Sequence, residues 1–129
     1  MTSEFVILGS GDGSKEVADL INSNYKKNFS IRFIKKKQKI NYSKNYLFLI
    51  SMGLPQIREK IFNTLKKNKI KFIKLIHKSV YLSKFSKVGL GTIIYANSTI
   101  GSGVKIGKNC IIGANVSIGH DVIVGDHSV

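Results

Sequence analysis

From Ile76 onward an aliphatic side chain recurs at every sixth position: Ile76, Leu82, Val88, Ile94, Ile100, Ile106, Ile112, Ile118 and Val124. A period of six is neither the alternation of a strand nor the 3.6-residue turn of a helix, so the chain must return to one face through a larger repeating unit. Two further registers keep the same period. Glycine follows the aliphatic at Gly89, Gly101, Gly107, Gly113, Gly119 and Gly125. A small or β-branched residue stands four places after it: Val80, Ser86, Thr92, Ser98, Val104, Cys110, Val116, Val122 and Ser128. Three such hexads make the three walls of a triangular coil, and stacked coils pair strand on strand in parallel around the aliphatic column. The nine hexads therefore predict three coils over residues 76–129.

The first 75 residues have a different pattern. Phe5–Leu8 reads as a buried strand, Gly9–Ser14 as a glycine-rich turn, and the following stretch as a helix that turns Val17, Leu20 and Ile21 inward. Glycines in such a turn let the backbone approach an anion while the first helical N–H groups point at it. The spacing Gly9-x-Gly11-x-Gly13 is not the dinucleotide GxGxxG, because Ser14 takes the last position. Strands over Ile31–Ile34 and Tyr46–Ile50 are expected to pair in parallel beside the first. Pro55 opens a helix over residues 55–68, with Ile57, Ile61 and Leu65 as its buried stripe and Lys66, Lys67 and Lys69 at its C-terminal end.

Composition narrows the function classes. With 43% hydrophobic and 9% aromatic residues in 129, this is a folding chain of one domain or two very small ones. No apolar run approaches the roughly 20 residues of a membrane span, and the N-terminus lacks a signal-sequence pattern, which places the protein in the cytoplasm. The single Cys110 excludes a disulfide within the chain and falls in the small-residue register. The net charge of +14 is carried mainly by residues 1–75, yet nearly all the cations are lysines without interleaved exposed aromatics. That is a solvated surface rather than a nucleic-acid-binding one.

Residues 50–83 and 100–126 together resemble the sialic-acid O-acetyltransferase and nucleotide-amino-sugar N-acetyltransferase family of hexapeptide-repeat acyltransferases. The most specific element is Gly119-His120-Asp121 followed by Ile123-Val124-Gly125-Asp126. The resemblance implies an α/β Rossmann-like domain, residues 1–75, that binds the acceptor, and a left-handed parallel β-helix, residues 76–129. It further implies acetyl-CoA as co-substrate, no metal, a homotrimer, and a sugar or sugar-nucleotide acceptor held near Gly9, Ser10, Gly11, Asp12, Gly13, Gly53 and Arg58. His120 would be the general base, and Asp121 would orient it and favour the tautomer whose free nitrogen accepts a proton. The expected activity is N-acetylation of a nucleotide-linked 4-amino sugar in bacterial surface-glycan biosynthesis. Alternatives are O-acetylation of sialic acid, an inactive trimerising scaffold, and, ranked last, a basic polyanion-binding module.

Several departures from that family pattern bear on these expectations. The histidine that many relatives carry in the glycine-rich loop falls on Gly13. The acid after the second strand is replaced by Lys35, Lys36 and Lys37, with Lys39 close behind, and lysines there suit phosphates or a sugar carboxylate. Met52-Gly53-Leu54-Pro55 replaces the usual segment after the third strand. His77 is read as structural, and His127 as a residue that lines the site at most. The seven-residue step from His120 to His127 does not match the five-residue step of the three-histidine zinc sites in γ-class carbonic anhydrases. Related enzymes continue for several more coils, so a chain ending at Val129 is expected to lack much of the acetyl-CoA pocket and to expose an open solenoid end prone to association.

Overall fold

The computed structural model describes residues 3–9, 11–35 and 45–129. Ser10 and the lysines at 36, 37 and 39 lie outside them. The chain divides into two compact units, Met1–Ile73 and Lys74–Val129, and each is taken by itself.

The first unit runs β1 (Ser3–Leu8), α1 (Asp12–Asn24), β2 (Phe29–Ile34), β3 (Tyr46–Ile50), α2 (Pro55–Lys66), β4 (Lys71–Phe72). Its strands form one sheet in the order β2-β1-β3-β4, every pairing parallel. Phe5, Val6, Ile7 and Leu8 are all buried, as a central parallel strand covered on both faces requires. The two-residue β4 had no signal in the sequence, since Lys71-Phe72 is too short to show a period. It extends the sheet through Phe72, whose ring stacks on Phe62 of α2 with centroids 4.5 Å apart.

The buried face of α2 corrects the expected one. Arg58, Phe62 and Leu65 are buried, while Ile57 and Ile61 are only half-buried. Both sets repeat at helical spacing, but an arginine reads as an outward residue, and here it lies inward with its charge satisfied by backbone carbonyls.

The second unit consists of nine two-residue strands: β5 (Leu75–Ile76), β6 (Tyr81–Leu82), β7 (Lys87–Val88), β8 (Ile93–Ile94), β9 (Thr99–Ile100), β10 (Lys105–Ile106), β11 (Ile111–Ile112), β12 (Ser117–Ile118) and β13 (Ile123–Val124). They form three parallel sheets, β5-β8-β11, β6-β9-β12 and β7-β10-β13. Each residue pairs with the one 18 positions away, as Ile106 does with Val88 and Val124, so three hexads complete a coil. The stack fits a left-handed β-helix. Ile94, Ile100, Ile106 and Ile112 are buried in its interior, and Ile76, Val88, Ile118 and Val124 pack partly against them. Leu82, on β6, departs from the expected column and is 40% exposed.

The small-residue register has a second role. Thr92 Oγ1 donates to Gly107 O at 2.8 Å and accepts from Cys110 N at 3.1 Å. Ser98 Oγ does the same with Gly113 O and Val116 N. Cys110 Sγ repeats the donation to Gly125 O at 3.1 Å. These buried side chains tie the corner backbone of one coil to that of the next, satisfying groups that a purely apolar register would leave unpaired.

A fourth register was not read from the sequence. Gly91, Asn97, Gly103, Asn109, Asn115, Asp121 and His127 all have positive φ, one at each corner from residue 91 onward. Glycine, asparagine and aspartate are the residues that tolerate this left-handed conformation.

Candidate active site

The glycine-rich turn and the histidine corner lie in different units. In the turn, Leu8 ends β1 and Gly9 takes φ +137°. A Cβ on Gly9 would come within 2.9 Å of Ser14 Oγ and would run into Ser51 Oγ, so only glycine fits. The two hydroxyls lie 2.6 Å apart, and Ser51 Oγ donates to Leu8 O at 3.0 Å. This hydrogen-bonded knot fastens the first turn of α1 to the ends of β1 and β3. Gly13 approaches the same place, its would-be Cβ 3.3 Å from Ser51 O. Gly11 is the exposed N-cap of α1, with no side-chain cap, and Asp12 opens the helix with an acid. That carboxylate suits the positive end of the helix and competes there with any other anion.

Gly53 is exposed with open space around its Cα, two residues beyond Ser51. Arg58 lies inward. Its side chain is fully buried, and Nη1 donates to the carbonyl oxygens of Ile50 and of Met52, the latter at 2.9 Å. It holds the backbone that leaves β3. Two residues that sequence reasoning passed over stand closer to solvent. A cavity of about 220 Å³ is lined by Gly11, Ser14, Lys15 and Phe33, with Phe33 45% exposed. The signal for Phe33 was a large aromatic on the open face of β2, where alternation alone gives no reason for it.

His120 and Asp121 occupy the corner between β12 and β13, with side chains 85% and 79% exposed. His120 Nδ1 lies 3.1 Å from Asp121 Oδ2. With Nδ1–H donating to the carboxylate, the lone pair is left on Nε2, where a proton acceptor is needed. Val122 and Ile123 follow at 42% and 75% exposure, so the pair is bordered by open apolar surface.

The other histidines have structural partners. His77 Nδ1 meets Ser79 Oγ at 2.7 Å and accepts from Ser79 N at 3.1 Å. His127, half-buried, contacts Asn109 Nδ2 through Nδ1 at 2.9 Å. Asp126 Oδ1 accepts from Lys108 N at 2.7 Å, capping the coil before it. No group of three His, Cys, Asp or Glu among the described residues is placed to hold a metal ion. No helix among them is long and apolar enough to cross a membrane.

Residues 85–119 and 103–129 match the bacterial transferase hexapeptide family model of six repeats. The fold is shared with solved structures of low identity. The acetyltransferase domain of PglB from Neisseria gonorrhoeae FA1090 is similar over 98% of this chain and 69% of its own, at TM-score 0.85 and 17% identity. The same domain in complex with acetyl coenzyme A gives TM-score 0.87 at 16% identity over the same shares. PerB from Caulobacter crescentus, in complex with CoA and GDP-perosamine, is similar over 100% of this chain and 89% of its own, at TM-score 0.59 and 15% identity. No curated protein matches the chain.

Proposed function

We propose that this chain is an acetyl-CoA-dependent acetyltransferase that N-acetylates a nucleotide-linked 4-amino sugar in bacterial surface-glycan biosynthesis. The observation that carries the proposal is an oriented imidazole–carboxylate pair on a corner of a hexapeptide β-helix, Nε2 outward. Transfer forms a C–N bond, breaks the thioester C–S bond, and moves a proton from the acceptor amine to the departing sulfur. His120 Nε2 takes that proton as the amine attacks, and Asp121 steadies the imidazolium that results. The neighbours determined with acetyl coenzyme A, or with CoA and GDP-perosamine, support both substrate classes.

In this reading the first unit is a Rossmann-like domain that takes the acceptor at its glycine-rich turn, through Gly9, Gly11, Asp12, Gly13 and Gly53, with Ser10 as a further candidate. Lys15 and Phe33 would supply charge and a stacking surface beside them. The β-helix assembles as a homotrimer, and the enzyme works in the cytoplasm. The second reading is O-acetylation of sialic acid, and Lys35, exposed after β2, is a counter-charge that suits a phosphate or a sugar carboxylate alike.

Two measurements separate these readings. A thiol-release assay with acetyl-CoA and a nucleotide-linked amino sugar should show turnover that His120→Ala lowers by about 10²- to 10⁴-fold. Calorimetry with UDP, GDP, dTDP and sialic acid should give heat from a nucleotide, and binding of sialic acid alone would reverse the order. Absence of thiol release with every acceptor would overturn the acetyltransferase reading.

A further inference from the structure

Asn115, Asp121 and His127 each place a polar side chain at a left-handed corner of the last coil, and Asp121 and His127 use it differently. His127 stands one coil above Asn109 and bonds to it along the stack, Nδ1 to Nδ2 at 2.9 Å. Asp121 stands one coil above Gly103 and bonds sideways to His120 instead. In both, the backbone N–H is fixed to the coil before, Asp121 N to Ser102 O at 3.0 Å and His127 N to Lys108 O at 2.8 Å. The backbone therefore does not distinguish them. What differs is the residue below. A Cβ on Gly103 would run into Asp121 Oδ1 and come within 3.2 Å of its Cγ, so the carboxylate rests on the bare glycine.

We infer that Gly103 is a positioning residue for the His120–Asp121 pair: the missing side chain lets the Asp121 carboxylate lie over the corner and reach the imidazole. The inference rests on the acid–base reading of His120. An ion pair this exposed gains little energy of its own, so its geometry must come from the scaffold. An asparagine at 103 keeps the left-handed backbone, as Asn97, Asn109 and Asn115 do at the same register. Its amide would engage Asp121 along the stack, as Asn109 engages His127.

The test is Gly103→Asn read by nitrogen NMR of His120 at about pH 8, where an ordinary imidazole is neutral. In the parent protein the Nδ1–H tautomer should dominate. In Gly103→Asn and Asp121→Asn alike it should give way to the Nε2–H form that free imidazoles prefer, while Asn97→Gly, at another corner, should leave it in place. Acetyl transfer measured on the same proteins should fall about tenfold in Gly103→Asn, with kcat affected more than KM. An unchanged tautomer in Gly103→Asn, or an equal shift in Asn97→Gly, would overturn the inference. Absence of transfer in the parent protein would sink the enzymatic reading and leave the NMR result standing on its own.

Discussion

At the scale of single residues, two polar groups were assigned from sequence context, and burial separates them. His120 is open to solvent with Asp121 on one ring nitrogen, a geometry compatible with proton transfer. Replacing it by alanine is expected to lower kcat/KM for acetyl transfer by about 10²- to 10⁴-fold, and Asp121→Asn by less, because orienting a base is worth less than supplying it. Steady-state thiol release by the two variants checks the order. Arg58 is the contrary case. Arg58→Ala strands the carbonyls of Ile50 and Met52 and should cost about 2–4 kcal/mol of stability. Urea unfolding measures it, and an unchanged midpoint with weakened acceptor binding would return Arg58 to the role its sequence position suggested. Nothing local in the sequence distinguishes a buried arginine from an exposed one when both lie at helical spacing.

At the scale of elements, the repeat is held by two interactions of different strength. The aliphatic column excludes water, and Ile106, 3% exposed between Val88 and Val124, lies at its middle. Ile106→Asp should unfold the repeat unit, since an unpaired carboxylate in that interior costs several kcal/mol. Circular dichroism would show it, and a native-like, soluble variant would refute the arrangement. The hydroxyl bridges are smaller in effect. Thr92→Val keeps shape but loses the bonds to Gly107 O and Cys110 N, and thermal unfolding should report a loss of about 1–2 kcal/mol that Thr92→Ser largely restores. The period of six was legible because nine repeats reinforce it. The corner register of glycine, asparagine and aspartate has the same period, but it is spread over several residue types and emerges only from the backbone angles.

At the scale of the whole molecule, the expected homotrimer is a prediction with a direct measurement. Tyr81 and Phe85 are 68% and 70% exposed on the β-helix and Ile123 is 75% exposed, apolar side chains that a subunit interface would cover. Light scattering at micromolar concentration should give three times the 14.3 kDa chain mass, and a monomer would remove this part of the proposal.

Periodicity by itself determined the coil, its three walls and the interior column, because a solenoid repeats one local rule and each hexad restates it. Strand and turn chemistry likewise determined β1, α1, β2, β3 and α2. Tertiary structure alone decided what faces where. It turned Arg58 inward and gave it carbonyls, left Leu82 half-covered, and laid the Asp121 carboxylate against Gly103. The reason is physical: periodicity reports which residues share a face, whereas the fate of a charge or a corner side chain depends on the atoms that the next layer places against it.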